Sequence, residues 1–339
     1  MATPVAARVA HRLGVLDQPA GNKFHQQATP YLGGLAVAIG LVLVGGVAAG
    51  ASGELLTVVL GGLAISIVGL LDDRLHVGPL AKLAVEIGAG VALWFSGVGA
   101  GLFGVEILDM ALTVLWVVAI TNAFNLLDNM DGLCSGIAAL SAATFFAIAA
   151  VEGHYLVASL ALAVAGASLG FLRYNFPPAR IFLGDAGSLL LGFLLAALGL
   201  KLDLVGQNGL IRSAVPVLVL AVPIFDTILV VVDRFRGGRR VYVGGTDHSS
   251  HRLAGLGLSP RRVAFTLYGA QVVSSGLALT LLYGNTPVGV GVIAGSVIVA
   301  LGALRFFLGV ERRLERAPEG PVVLEQAREA VRVPEVTDL

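Results

Sequence analysis

Residues Asp109 to Leu133 read DMALTVLWVVAITNAFNLLDNMDGL, an apolar run that ends in Asn122, Asn125, Asp128 and Asp131. A run of this length suits a helix that crosses lipid. A charged group at mid-depth in a bilayer costs at least about 2.5–3.5 kcal/mol, so polar residues at the end of such a helix need a reason. The rest of the chain repeats the pattern. Of its 339 residues 56% are apolar and 13% charged, against roughly 25% charged in a soluble domain. Lipid must therefore replace water over most of the surface.

Composition narrows the function classes. A formal net charge of zero argues against a nucleic-acid binder, which carries a basic surplus. The single cysteine, Cys134, excludes an internal disulfide. Residues 1–30 are polar and carry Arg8, Arg12, Lys23 and His25, unlike a secretory signal. The 45 glycines suit lipid-embedded helices packed through small residues, as at Gly166–Gly170 and Gly291–Gly295.

Windows of about 20 apolar residues predict ten transmembrane helices, at 31–51, 54–71, 79–97, 109–127, 132–151, 154–173, 186–201, 211–233, 262–283 and 286–309. The expected fold is an all-α polytopic integral membrane protein, with one membrane-embedded domain over 1–316 and a polar tail over 317–339. With ten spans, both termini and the even-numbered connections share one side. That side collects nearly all the arginines and lysines, including the run Arg234 to Arg262, while the other holds Lys201 and Arg212. The positive-inside rule makes the arginine-rich side cytoplasmic. Gly97 to Leu108 falls on the opposite side, where alternating apolar residues suggest a small hairpin. Its Gly99-Ala-Gly101-Leu-Phe-Gly104 matches the dinucleotide fingerprint but lacks the βαβ context that gives it meaning.

Four polar constellations fall on the even-numbered connections and can meet in one site. The adjacent carboxylates of Asp72 and Asp73 repel, by roughly 4 kcal/mol at 4 Å and an effective dielectric of 20, which a divalent cation would relieve. A solvated helix end is the plainer reading. Lys82 either approaches a phosphate or snorkels. Asp128 and Asp131 share a helical face with Asn125; N-capping by Asp131 would account for one of the two aspartates. Asp185, after Gly184, can cap the helix that follows or bind metal, and Arg180 offers a phosphate contact. His248 and His251 flank Ser249-Ser250 beside Asp247 and Arg252. With no cysteine nearby they suit a polyanion-binding loop better than a zinc site. Glu86 and Asp226 are intramembrane acids and functional candidates on that ground.

These residues resemble a known family. Asp72-Asp-Arg, Asn125-Leu-Leu-Asp-Asn-Met-Asp-Gly-Leu133, Asn175-Phe-Pro-Pro-Ala-Arg-Ile-Phe-Leu-Gly-Asp-Ala-Gly-Ser188 and Asp247-His-Ser-Ser-His-Arg-Leu253 resemble the polyprenyl-phosphate N-acetylhexosamine-1-phosphate transferases. The entry segment with Asp17-Gln-Pro, Lys23 and His25 resembles that family too. The resemblance implies transfer of a sugar-1-phosphate from a UDP-N-acetylhexosamine to a polyprenyl phosphate, with release of UMP. That is the first membrane step of cell-envelope glycan synthesis, at the cytoplasmic face of the inner membrane.

By motif, Asp72 and Asp73 become the catalytic pair with Lys82 near phosphate. Asp185 and Asp128 become metal ligands for Mg²⁺, with Mn²⁺ as an alternative. Asn125, Asp128 and Asp131 form a nucleotide wall, Phe182 lies beside the uracil, and Asn175 belongs to the most specific stretch of the substrate site. His248, His251 and Arg252 read the sugar and diphosphate. The implied partners are the UDP-sugar, the lipid phosphate, membrane lipid and a second copy in a homodimer, with no nucleic acid.

Three features depart from the pattern. Only Met1–Ala10 stands where a further helix is usual, Ser250 replaces a histidine, and Asn129 and Glu86 stand where Gly and Gln are commoner. The histidine loop favours the N-acetylglucosamine branch over the phospho-N-acetylmuramoyl-pentapeptide transferases. A transporter using Glu86 and Asp226 is the rival of another class, although its polar groups should lie at mid-depth between repeated halves. A CDP-alcohol phosphotransferase fails, because Asp131-Gly132 is followed by Leu-Cys-Ser.

Overall fold

A computed structural model describes residues 2–13, 16–17, 29–49, 52–75, 77–202, 204, 209–240 and 245–316. The tail 317–339, Lys23 and His25 lie outside the described residues. Each predicted apolar window falls on helix: α2 (Gly33–Ala49), α3 (Gly53–Leu75), α4 (Pro79–Phe95), α5 (Glu106–Leu127), α6 (Leu133–Val151), α7 (Tyr155–Asn175), α8 (Asp185–Lys201), the pair α9 (Gly209–Val219) and α10 (Ala221–Arg236), α12 (Pro260–Tyr283) and α13 (Thr286–Arg316). Two further helices were not expected, α1 (Ala2–Leu13) and the short α11 (Ser249–Gly255).

The structure does not establish ten spans. Among the described residues six helices are long and apolar enough to cross a membrane, and a seventh span results if α9 and α10, bent by 80°, count as one. Helices α2, α4 and α8 have 17 residues each, a rise of about 26 Å against a hydrocarbon core of about 30 Å. The bend between α9 and α10 has a local cause. Pro223 has no N–H to offer the Val219 carbonyl four residues back. That carbonyl instead accepts Gln271 Nε2 at 2.7 Å and Ser141 Oγ at 3.0 Å.

Helix α8 is the hub. Every residue from Ala186 to Gly199 is buried, as expected of a helix that is apolar all round, and α2, α3, α5, α6 and α7 pack against it. Two glycines bring neighbouring backbones onto its N-terminus. A Cβ at Gly34 would lie 2.3 Å from the Gly187 nitrogen, and one at Gly69 would lie 2.5 Å from the Asp185 carbonyl oxygen. At the other extreme α13 exposes Val297, Ile298, Val299, Leu301 and Phe306, a surface made for lipid.

The strands β1 (Leu16–Asp17) and β2 (Thr29–Pro30) form one short antiparallel ladder. The hairpin expected at Gly97–Leu108 is absent. Asp109 takes the amides that a ladder would need, accepting the N–H groups of Leu102, Phe103 and Gly104 at 2.9, 2.8 and 3.0 Å.

Candidate active site

The last turn of α3 carries Asp72 and Asp73, and their adjacency on a helix sends them different ways. Asp73 reaches the start of α8, where it accepts the backbone N–H groups of Asp185 at 2.9 Å and Ala186 at 3.3 Å. It thus caps α8 from another helix. Asp185 does not cap α8: the residue before it, Gly184, holds the cap position and has no side chain to bond the first amides. Asp72 faces the first turns of α4, where Lys82 Nζ donates to it at 2.7 Å and to Asp185 Oδ2 at 2.9 Å. Asn125, in the last turn of α5, donates to Asp185 Oδ1 at 2.8 Å and lies 3.0 Å from Ser188 Oγ. Four helices thereby meet around one carboxylate.

Asp128 follows α5 and joins this group. Burial, and then the charges of Asp185, Asp73 and Asp131, push its carboxyl well above the usual range, while the Gly184 amide bonds to it and opposes the shift. Asp131 does not cap α6, whose cap position is Gly132; it accepts the Ala179 amide at 2.8 Å. Asn175 is also spent on structure. It is buried, accepts the Gly132 N–H at 3.0 Å and donates to the Ile181 carbonyl at 3.0 Å. It clamps two site loops together rather than lining the opening. The backbone of Phe182 is fixed between the Pro30 carbonyl and the Gly33 amide, and its ring meets Tyr31 edge-on at 5.8 Å.

The histidine loop forms α11. Ser250 Oγ donates to Asn129 Oδ1 at 2.5 Å and Asn129 Nδ2 donates to the Leu126 carbonyl at 2.7 Å, which ties the loop to the acidic wall. Both residues are departures from the family pattern, and they bond to each other. His248 and His251 lie with ring centroids 5.7 Å apart. Burial and the neighbouring His248 lower His251 to about 4. Arg252 is 3% exposed, donating to the Asp247 carbonyl at 3.0 Å and the Phe307 carbonyl at 2.7 Å and pairing with Asp233 at 3.2 Å. The expectation that it reads the diphosphate meets a guanidinium already committed to the fold. Asp247 pairs twice with Arg234, at 2.6 and 2.8 Å. Burial works against its charge, but these bonds hold its carboxyl below the usual range.

The two intramembrane acids have partners as well. Glu86 accepts Asn122 Nδ2, and Asp226 binds His248 and Ser249. Neither acid is therefore an isolated mid-depth charge, the feature that had made both functional candidates. Ser188, Tyr31 and Asp233 were not anticipated. Ser188 alone had a signal, its place one turn after Asp185.

Among the described residues no three of His, Cys, Asp or Glu gather closely enough to enclose a metal ion. Yet the donor chemistry fits a hard divalent cation. All the groups are oxygens, and an ammonium bridges Asp72 and Asp185 where a cation would relieve them. Mg²⁺ typically takes only one or two carboxylates and completes its shell with phosphate and water. Asp185 and Asp128 are the pair that would hold it.

Residues 55–203, from α3 through the end of α8, match the model of glycosyl transferase family 4. A probable undecaprenyl-phosphate N-acetylglucosaminyl 1-phosphate transferase of Bacillus subtilis is 36% identical over 290 residues, covering 82% of this chain and 80% of the relative. The chain belongs to glycosyl transferase family 4. Other members of the family match at similar length. A decaprenyl-phosphate N-acetylglucosaminephosphotransferase of Mycobacterium tuberculosis is 32% identical over 340 residues, 88% of this chain and 83% of the relative. A phospho-N-acetylmuramoyl-pentapeptide-transferase of Streptococcus pneumoniae is 31% identical over 292 residues, 77% of this chain and 87% of the relative.

Proposed function

We propose that this family 4 member transfers N-acetylglucosamine-1-phosphate from UDP-N-acetylglucosamine to undecaprenyl phosphate or a related polyprenyl phosphate, releasing UMP. The observation that carries this is the junction of Asp72, Lys82, Asn125 and Asp185, four helices' polar ends converging within the family-matched segment. The arginine-rich side of the chain, on which these groups lie, is its cytoplasmic face.

The lipid phosphate oxygen attacks the β-phosphorus of the nucleotide sugar. A new phosphoanhydride forms, the bond to the α-phosphate oxygen breaks, and UMP leaves. Asp185 and Asp128 would hold Mg²⁺, which would neutralise charge on the diphosphate. Lys82 passes from its carboxylates to a phosphate oxygen when the diphosphate enters. Asp72, released by that exchange, accepts the residual proton of the lipid phosphate. Asp73 stays on the α8 amides, so of the adjacent pair Asp72 is the one that touches substrate. Phe182 and Tyr31 offer an aromatic surface for the uracil, and His248 and His251 meet the sugar diphosphate.

The test is incubation of membranes containing the protein with labelled UDP-N-acetylglucosamine and undecaprenyl phosphate. UMP release should depend on Mg²⁺, cease with chelator and be lost in Asp185→Asn. Full activity of that variant overturns the assignment. Turnover of UDP-N-acetylmuramoyl-pentapeptide in place of UDP-N-acetylglucosamine would move the chain to the branch of the Streptococcus pneumoniae relative.

A further inference from the structure

Asp226 lies on α10 in the apolar segment Val222-Pro-Ile-Phe-Asp226 and is 1% exposed. A carboxylate there is costly unless both oxygens are satisfied. Both are. Oδ1 accepts the Ser249 amide at 2.8 Å and the Ser249 hydroxyl at 2.6 Å, and Oδ2 lies 2.8 Å from His248 Nδ1.

The two oxygens do different things. Oδ1 starts α11 by holding its first residue, which a neutral amide oxygen at the same place would also do. Oδ2 is committed to an imidazole. With an acceptor on Nδ1 the ring carries a hydrogen there, and Nε2 is the nitrogen left for a ligand. A carboxylate that grips one ring nitrogen fixes both the tautomer and the orientation of the ring. The same turn is tied to the acidic wall through Ser250 and Asn129, so the ring is located relative to Asp128 as well as to α10.

We propose that Asp226 is a positioning residue for phosphoryl transfer, holding His248 by Nδ1 so that Nε2 meets the donor nucleotide sugar. The assignment rests on the transferase reading given above.

Asp226→Asn is the informative variant. Its amide oxygen still accepts from Ser249, while its NH₂ faces Nδ1 and drives the ring hydrogen to Nε2. The expected result is a fall in kcat of roughly 10²-fold, the lower end of what a positioned acid–base group contributes, with KM for UDP-N-acetylglucosamine changed far less. The thermal midpoint should stay near that of the parent protein. In ¹⁵N-histidine NMR of the resting protein one histidine should change from the Nδ1–H to the Nε2–H form. In a His248→Gln background Asp226→Asn should add no further loss, because the two act as a unit. Unchanged kcat, an unchanged tautomer or a fully additive loss each overturns the assignment. A parent protein without transfer activity overturns the functional reading, and the NMR signature, which needs no turnover, tells that failure apart from a wrong Asp226–His248 pairing.

Discussion

Two charged clusters in this chain are built on opposite plans. In the first, Asp72 and Asp185 share one ammonium, that of Lys82, with Asp128 beside them, and the Asp72, Lys82 and Asp185 side chains remain 18, 21 and 27% exposed. In the second, Arg234 and Asp247 are 3 and 2% exposed and doubly bonded, and Asp233, Arg239 and Arg252 complete the network. Negative charge is in surplus and open to ligand in the first cluster. In the second each carboxylate has a guanidinium, and the Arg234–Asp247 pair at its centre is closed off from solvent. A surplus of negative charge at an opening invites a cation and its phosphates, whereas carboxylates each paired with a guanidinium hold a loop in place. Both clusters are rich in charge, so density of charge alone does not mark a site; its compensation does.

The comparison can be broken most directly at Asp185. Asp185→Asn should reduce UMP release roughly 10²–10³-fold, the scale on which a single transition-state contact acts, while the thermal midpoint holds or rises as repulsion is relieved. Asp247→Ala should do the reverse. Leaving Arg234 buried without its partner costs about 3–5 kcal/mol, visible as a lower midpoint in detergent and poor recovery of folded protein. Equal behaviour of the two variants, whether in stability or in activity, would erase the distinction.

Lys82→Met sharpens it further. With the bridging ammonium gone the first cluster becomes more negative, so Mn²⁺ followed by electron paramagnetic resonance should bind about tenfold tighter, or ~1.4 kcal/mol, even as turnover falls. Weaker Mn²⁺ binding would show that lysine and metal do not compete for the same carboxylates. The smallest effect belongs to the bond between the clusters' loops. A cycle of Asn129→Ala, Ser250→Ala and the double variant should give a coupling of about 0.5–1.5 kcal/mol in kcat/KM. A coupling of zero would mean that the histidine loop docks without that bond.

The sequence was most legible where the signal is local. Hydropathy located every helix that packs around α8, because apolar length is written in consecutive residues. Its count of ten spans is not established, because a window does not register that α2, α4 and α8 stop at 17 residues or that Pro223 turns one run into two helices. The site's members were legible as polar residues at apolar ends; their division of labour was not. Asp73 caps a helix that begins 112 residues later, and Ser250 bonds a residue 121 positions away. No spacing rule reaches that far. Arg252 and Asn175 carry the residue types of a ligand site, yet both are buried against backbone carbonyls, which only packing decides.

The contact between Asp73 and the first amides of α8 carries one more consequence. Asp185 begins α8, and its own amide is one of the two that Asp73 holds. Its carboxylate reaches Lys82 and Asn125 from a position that exists only once α3 and α8 have met across the close approach at Gly69. The acidic centre is therefore a certificate of assembly. A chain inserted with either helix out of register presents no such centre.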